Sequence, residues 1–536
     1  MKLDSQNYLR IVKLLAVPVL IVLSLVIFAG SMNKPLADAE QASCAAGVLL
    51  TKGKMIYKDF AHTTQMPYHP FFCAAIFKVF NTTHYLLTAR MLTVVCDILV
   101  VVCIMGIFTR VFWSFPVTGW LLGMAMAVLY VFNWYTDNFN GLALGRDFVM
   151  LCVAMSFWLF ISIDSKQRYK YLRIGAMGAL LTLASCLRLS AVFIQLLFFV
   201  LLLFKPAEAG KERFKSALAF LAASVVILGL PIWTAVQAPR AFSINVFEML
   251  SLKRRLMLKF HIMTAGTLDT KFWKAILCFT VPRAITPFLI AICLVVLIVP
   301  YRRKLNISNL QSCVLAILIP LTFLIISLCP PLVLYKSFAI LVPFVIISLA
   351  YPLLYLRRPG RNGSDHKLFR IALIVVIGCT FSQVAYQSFM LLRISRVFRP
   401  QTWVPVKVHQ ISMDVAEKTK EPKLVVTMTP LYALEGGCDI YPELSAGWMG
   451  CNIACQMSAP KREATNTLDA DKFKEMLAER PPSAIVIDRT SSSSVGLVFL
   501  RIAKTEWPEQ HYDKSMWERK EYLFEDDPNL VAYFRL

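Results

Sequence analysis

Two carboxylates lie two residues apart near the start of the chain, at Asp38 and Glu40, directly before an apolar run that reads Ala42–Leu50. The run has the spacing of a short helix lying at a membrane surface, so at least one carboxylate is expected to face the headgroup layer. A carboxylate there can act as general base and take the proton of an acceptor hydroxyl. The same side chains could instead cap the helix N-terminus, and the spacing leaves both interpretations open.

Cationic and polar side chains follow this helix within one loop of about 55 residues, and loops of that length are usually functional or disordered. The three cations are Lys52, Lys54 and Lys58. Their position on the side predicted to be external favours an anionic partner such as a lipid-linked phosphate, with attraction to ordinary anionic headgroups as the alternative. Asp59, His62 and Gln65 recur every three residues. They are predicted to line one face of a turn and bind sugar hydroxyl groups, unless each is simply a solvated loop residue.

Short motifs occur along this loop in a fixed order: Asp38-x-Glu40-Gln41, Gly53-Lys54-x-x-Tyr57-x-Asp59-Phe60, Gln65-Met66-Pro67-Tyr68-x-Pro70, and Ala89-Arg90 at the mouth of the second span. The series resembles bacterial membrane glycosyltransferases of the GT-C superfamily, the relatives of protein O-mannosyltransferases and of the aminoarabinose transferase that modifies lipid A. The resemblance implies a polyprenyl-phosphate sugar as donor and an acidic residue of the first external loop as catalytic base. That role falls on Asp38, with Glu40 close behind.

The resemblance extends to later positions. Asp137 and the pair Arg146-Asp147 bring polar groups to the same outer face, as a second acidic site in such enzymes would. Tyr335-Lys336 resembles the family's Arg-Tyr entry to a late helix, whose cation meets the donor phosphate; the order here is Tyr-Lys. Arg90 joins the residues assigned to donor binding. The superfamily makes a divalent metal possible, but no ligand set is fixed by the sequence.

The elements that position these residues are membrane helices. The chain has 536 residues, of which 57% are hydrophobic and 17% charged, a composition too apolar for soluble domains. Apolar stretches long enough to cross a bilayer as helices predict about 11 to 13 spans. The working set of eleven is Ile11–Phe28, Leu87–Thr109, Pro116–Phe132, Phe148–Ile163, Ile174–Leu187, Leu189–Phe204, Leu218–Val236, Phe279–Val299, Val314–Cys329, Phe338–Leu356 and Ile371–Leu392. Around Arg188, two short helices or one long tilted helix both fit.

The basic residues indicate orientation. The formal charge is +23, but the cations are spread over alternate short loops and not gathered into one domain, which excludes a nucleic-acid footprint. The positive-inside pattern places the N-terminus in the cytoplasm and the C-terminal segment outside. With the resemblance, the location expected is a bacterial inner membrane. An alternative for the first span is a secretory signal cleaved at Ala37-Asp38-Ala39.

Two domains are predicted: a polytopic α-helical membrane domain over 1–392, which includes external loop 30–85, and a small extracytoplasmic α/β domain over 393–536. In the latter, Lys423–Met428 and Ser483–Ile487 read as strands, and Leu468–Arg480 has helical spacing. Its three cysteines are Cys438, Cys451 and Cys455. An oxidising compartment makes one disulfide plausible, and a zinc site is the alternative.

The predicted function is therefore transfer of a sugar from a polyprenyl-phosphate donor to a lipid, glycan or protein acceptor at the outer side of the membrane. Its partners would be that donor, membrane lipid and the acceptor, with no nucleic acid. A multi-span transporter or lipid flippase is the alternative, since it also needs many helices and charged cavity groups. The candidate acids Asp38, Glu40, Asp59 and Asp137 lie in loops and not within spans, which favours the enzyme.

Overall fold

The computed structural model describes residues 5–62, 66–163, 168–204, 210–249, 251–252, 286–298, 307–329, 337–357, 364–488, 517–524 and 527–536, with single positions between 255 and 276. The chain is mostly helical up to residue 418, and a five-stranded sheet is confined to the C-terminal part. The predicted class, a polytopic α-helical membrane protein with a small C-terminal α/β domain, is confirmed.

The membrane part is built from long apolar helices, some broken by short turns. Their bounds are α1 Ser5–Asn33, α2 Asp38–Thr51, α3 Tyr68–Phe80, α4 Tyr85–Val111, α5 Pro116–Val131, α6 Trp134–Phe139, α7 Arg146–Ser162, α8 Lys170–Leu187, α9 Val192–Leu203, α10 Gly210–Gln237, α11 Pro239–Ser243, α12 Thr286–Ile298, α13 Ile307–Leu328, α14 Val342–Ser348, α15 Ala350–Arg357, α16 Ser364–Tyr386 and α17 Phe389–Leu392. Within the described ranges, six helices are long and apolar enough to cross a membrane by length and composition. Each of the eleven predicted spans overlaps one or more of the helices α1–α17. The number of membrane crossings stays a prediction.

The stretch around Arg188 forms two helices and not one. Helix α8 ends at Leu187, Arg188 has an extended backbone with φ −146° and ψ 107°, and a short 3-10 turn, Leu189–Ala191, leads into α9. The Arg188 Nε donates to Ser190 Oγ at 3.2 Å. Burial, and then the charge of Arg146, lowers the pKa of Arg188 to about 10.

The loop between α1 and α4 is ordered around α2 and α3, which pack against each other. Gly47 marks their closest approach, since a Cβ there would lie 2.7 Å from the Cys73 Cβ. Only glycine allows the two helices to come this near. The described part of the long loop is therefore a folded platform.

The C-terminal domain is a mixed sheet flanked by helices. Its helices are α18 Val404–Lys418, α19 Leu431–Leu434, α20 Gly447–Ala454, α21 Ala459–Ala464 and α22 Ala470–Glu479, and its strands are β1 Leu424–Thr427, β2 Asp439–Ile440, β3 Ala484–Asp488, β4 Trp517–Phe524 and β5 Asp527–Arg535. The strand order is β2-β1-β3-β5-β4, with β1 parallel to both its neighbours and the other pairs antiparallel. Both predicted strands and the predicted helix occur here. No disulfide joins Cys438, Cys451 or Cys455 in this structure, so the suggested disulfide does not form.

This domain docks on the loop platform through a buried carboxylate. Glu435, which directly follows α19, is fully buried and accepts a hydrogen bond from the backbone N–H of Leu86 at 2.7 Å, in the first turn of α4. Its other oxygen lies 3.3 Å from His409 Nδ1, and the His409 ring lies against that of His84, with centroids 3.6 Å apart. An apolar core that includes Cys44, Phe77, Val408 and Leu431 runs through the same interface. The soluble domain is thus held rigidly against the start of α4.

Replacing Glu435 with alanine is expected to loosen this interface, because it leaves buried helix N–H groups without their acceptor, at a cost of about 1–3 kcal/mol. Hydrogen–deuterium exchange of the full chain in detergent should then show faster exchange over 85–90 and 404–440. Glu475→Ala, on the exposed side of α22, is the matched control. Unchanged exchange at residues 85–90 would show that Glu435 does not hold the domain in place.

Candidate functional site

A buried ion pair organises the end of α1, the start of α2 and the first turns of α4. The Arg90 Nε and Nη2 donate to the two oxygens of Glu40 at 2.7 and 2.8 Å, and both side chains have no exposed surface. The remaining Arg90 donors bind the carbonyls of Ser31 at 2.8 Å, Lys34 at 2.9 Å and Pro35 at 3.2 Å. Arg90 therefore fixes the turn that joins α1 to α2.

Glu40 uses both oxygens for structure. Oε1 also accepts from the backbone N–H of Ala143 at 2.8 Å, and Oε2 accepts from that of Ala37 at 3.3 Å. A fully buried carboxylate with four donors has no free edge for an acceptor hydroxyl, which argues against Glu40 as the base. Asp38, two residues earlier, is exposed in the first turn of α2. The pair that was predicted as alternatives thus divides into a structural residue and an exposed acid.

Beside this ion pair lies a pocket of buried polar groups that we call the acidic pocket, defined by Lys34, Asp97, Asp137, Asn140 and Asp147. The Lys34 Nζ donates to the Asn140 carbonyl. The Asn140 Nδ2 lies 3.5 Å from Asp97 Oδ1 and donates to the Tyr130 hydroxyl at 2.9 Å, and that hydroxyl donates to Asp97 Oδ1 at 3.2 Å.

The turn after α6 completes the acidic pocket. The Gly141 N–H donates to Asp147 Oδ2 at 3.2 Å, and its carbonyl accepts from Ser31 Oγ at 2.5 Å. Gly141 has φ +77°, and a Cβ there would lie 3.0 Å from the Ser31 Cβ, so the turn requires glycine. Two buried oxygens, Asn140 Oδ1 and Asp147 Oδ1, have no donor among the residues described. Buried acceptors of this kind call for an explanation, and a bound hydroxyl group would supply one.

The other predicted polar residues of this face are fixed by neighbours. Asp137 is buried and its Oδ1 lies 2.8 Å from Arg393 Nη1, in the segment after α17. The Arg146 Nη1 donates to the Phe139 carbonyl at 2.9 Å, with its guanidinium 5.9 Å from the Phe139 ring centroid. Asp137 is thus held by Arg393, and Arg146 lies against the end of α6; the donor-binding roles predicted for both stay predictions.

The loop cations do not all stay available for a phosphate. Lys52 pairs with Asp439 of the C-terminal domain at 2.6 Å, whereas Lys54 and Lys58 are exposed. Asp59 accepts from the Met55 N–H at 2.6 Å and closes its own turn, and His62 is buried. Gln65, Tyr335 and Lys336 lie outside the described residues. The roles predicted for these residues in donor binding stay predictions.

Lys34, Asp97 and Tyr130 were missed by the sequence reasoning as site residues. Asp97 had a readable signal, since it is an ionisable residue within the predicted span Leu87–Thr109. It also follows Arg90 by seven residues, which places both on one face of α4. Lys34 and Tyr130 carry no comparable signal, because their approach to Asn140 depends on contacts between separate segments.

Two cavities lie away from this region. One of about 500 Å³ is lined by Arg110, Trp113 and Tyr351, and a neighbouring one of about 330 Å³ also includes Arg110. Arg110 is twenty residues after Arg90 on α4, about 30 Å along the helix. These cavities therefore lie at the far end of the helices from Asp38 and play no part in the site.

The chemistry available here is proton abstraction next to fixed charge. An exposed acid lies at the end of a rigid turn, and the same turn contributes Lys34 to the acidic pocket. A carboxylate can accept a proton from a hydroxyl nucleophile, and nearby cations and buried dipoles can stabilise charge that develops on a leaving group. Among the residues described, no three His, Cys, Asp or Glu side chains are grouped so as to hold a metal ion.

Comparison with known proteins gives a likeness in structure. No protein-family model matches the sequence, and no curated protein matches it. The apo crystal structure of ArnT from Cupriavidus metallidurans superposes with TM-score 0.56 at 12% identity, covering 97% of each chain. ArnT bound to undecaprenyl phosphate gives the same TM-score and identity over 99% of this chain and 98% of that one. The Archaeoglobus fulgidus oligosaccharyltransferase in complex with Zn and sulfate gives 0.52 at 10% identity, over 96% and 73%. At these identities the likeness shows a common fold.

Proposed function

We propose that this chain, which has the fold of the GT-C membrane glycosyltransferases, transfers a sugar from a polyprenyl-phosphate donor to a hydroxyl acceptor on the outer side of the membrane. The observation that carries the proposal is that the two acids of the first loop differ in burial and in their contacts. Glu40 and Arg90 are buried and lock the turn, and Asp38 is exposed at the start of α2, four residues after Lys34 of the acidic pocket. A rigid turn that presents an acid next to fixed charges is what positioned general-base chemistry requires.

The donor class is supported by the fold and by the charges of the loop. One of the structures with this fold, ArnT, is bound to undecaprenyl phosphate. In this chain the exposed Lys54 and Lys58, together with Lys336, are the cations assigned to the donor phosphate. Lys52 is not included among these cations because it forms an ion pair with Asp439. Charge-assisted bonds from such lysines would hold the phosphate and stabilise the negative charge that it gains on leaving.

The reaction is a single displacement at the anomeric carbon. The acceptor hydroxyl oxygen forms a bond to that carbon while the bond to the phosphate oxygen breaks, so the sugar is inverted and polyprenyl phosphate leaves. Asp38 takes the hydroxyl proton. The buried oxygens Asn140 Oδ1 and Asp147 Oδ1 are suited to accept hydrogen bonds from sugar hydroxyl groups.

The test uses the purified full chain in proteoliposomes with a polyprenyl-phosphate sugar carrying a radiolabel in the sugar. The expected result is loss of label from the donor with release of polyprenyl phosphate, increased by addition of a membrane-lipid extract as a source of acceptor. Movement of the intact labelled lipid across the bilayer, with no chemical change, would support the transporter or flippase and overturn the enzyme.

A further inference from the structure

Lys34 is the one lysine that the described contacts place within the acidic pocket, and it sits immediately after α1. The backbone carbonyl of Lys34 accepts a hydrogen bond from Arg90 at 2.9 Å, so Arg90 fixes the turn that contains Lys34. Its side chain then reaches across to the Asn140 carbonyl, more than a hundred residues away in the sequence. The ammonium is therefore held in a defined position and does not sample the surface.

Acidic residues from three different helices influence this ammonium electrostatically. Asp97 comes from α4, Asp137 from α6 and Asp147 from α7, and the charges of all three act on Lys34. Asn140 links the ammonium to Asp97, since its carbonyl accepts from Lys34 while its side chain reaches Asp97 Oδ1. Arg393 neutralises Asp137 from outside, and the charge of Arg146 acts on Asp97 and Asp147.

A divalent metal bound at the Asn140 carbonyl would compete with the Lys34 ammonium. Such ions take several oxygen ligands, chiefly carboxylates and carbonyls, converging on one point. One structure with this fold is a complex with Zn and sulfate. In this chain the Asn140 carbonyl, which would serve as one ligand, already accepts from Lys34, and the described acids form no group able to hold a metal. Within the part of the chain that the structure describes, the residues of the acidic pocket do not fit the ion.

We infer that the Lys34 ammonium is the resident cation of the acidic pocket and that the chain holds its carboxylates in place without a divalent metal. The proposed transfer should then proceed in the presence of a chelator. This expectation rests on the proposed function. The occupancy of the pocket by Lys34 does not depend on that function, so each can fail separately.

The charge of Lys34 is sensitive to pH. Burial lowers the pKa of Lys34 to about 8, opposed by the carboxylates of Asp137, Asp97 and Asp147 and reinforced by Arg90. Because the folded pKa lies below that of a free lysine, the ammonium is lost as the pH rises through about 8. Transfer activity is therefore expected to fall above that pH, and Lys34→Arg, which stays charged, should move this limb to higher pH.

The first measurement is metal binding, which needs no substrate. The purified full chain is stripped with EDTA, desalted and titrated with Mn²⁺ at pH 7, and free Mn²⁺ is followed by electron paramagnetic resonance. The wild type is expected to bind no stoichiometric Mn²⁺ up to about 1 mM, the weak end of protein cation sites. One tightly bound equivalent in the wild type that disappears in Asp147→Asn would overturn the inference.

The second measurement is a double-mutant cycle on thermal unfolding with Lys34→Met, Asp97→Asn and the combination. If Lys34 balances Asp97, the change in Tm caused by Lys34→Met should be less unfavourable, by about 3 °C or more, in the Asp97→Asn background than in the wild type. Lys34→Arg serves as the charge-conserving control. Additive changes in Tm would show that the two groups do not interact and would remove the basis of the inference, whatever the transfer assay shows.

Discussion

Asp38→Asn is expected to lower kcat for sugar transfer by a factor of about 10²–10⁴, the usual contribution of a positioned general base. Asparagine has nearly the same shape and keeps its ability to sit in the first turn of a helix, but it cannot take a proton. The loss should therefore appear in kcat, with KM for the polyprenyl-phosphate donor nearly unchanged. The measurement is steady-state transfer from labelled donor at saturating acceptor.

A matched control separates this role from helix capping. Asp439→Asn removes an exposed acid that pairs with Lys52 at the surface, an interaction of about 0–1 kcal/mol, and should leave the rate within about a factor of two. Asp38→Asn should also leave Tm nearly unchanged, since a charge at a helix N-terminus contributes only about 0.3–1 kcal/mol. An inactive variant with a large drop in Tm would indicate a structural role, and a fully active one would remove Asp38 from the mechanism.

The helices were predictable because burial in lipid leaves a strong and local signal. A span needs a continuous apolar run, and such a run is visible without knowledge of its neighbours. The C-terminal strands β1 and β3 and helix α22 were predictable for a similar reason, since alternation and helical spacing are local patterns. The break at Arg188 could not be decided, because a pair of short helices and one long helix share the same apolar composition.

The site was predictable only in part, because its contacts join distant segments. Glu40 and Arg90 are 50 residues apart, Lys34 and Asn140 are 106 apart, and Asp137 and Arg393 are 256 apart. The spacing of Asp38 and Glu40 predicted that at least one of the two carboxylates faces the headgroup layer. The spacing could not show which of the two is exposed, because that depends on the buried ion pair between Arg90 and Glu40. Similarly, the sequence did not distinguish Lys52 from its neighbours Lys54 and Lys58. The difference arises because the docking of the C-terminal domain brings Asp439 against Lys52.

Arg90→Met is expected to lower the free energy of unfolding by about 3–5 kcal/mol, the usual cost of leaving one partner of a buried ion pair uncompensated. Glu40 would remain as an unpaired buried carboxylate, and the carbonyls of Ser31, Lys34 and Pro35 would lose their donor. Thermal unfolding of the full chain in detergent, followed by intrinsic fluorescence, measures the effect. Arg396→Met, an exposed arginine after α17, is the control and should change Tm little.

The companion variant Glu40→Gln tests why the ion pair matters for activity. Glutamine keeps an acceptor for the Ala143 N–H but lacks the charge that binds Arg90, so its effect on stability should be smaller than that of Arg90→Met. If the pair serves to place Asp38, the folded fraction of either variant should lose kcat in step with the loosening of residues 31–40, measured by hydrogen–deuterium exchange. A variant with faster exchange in that turn and an unchanged kcat would show that Asp38 reaches its substrate without the support of Arg90.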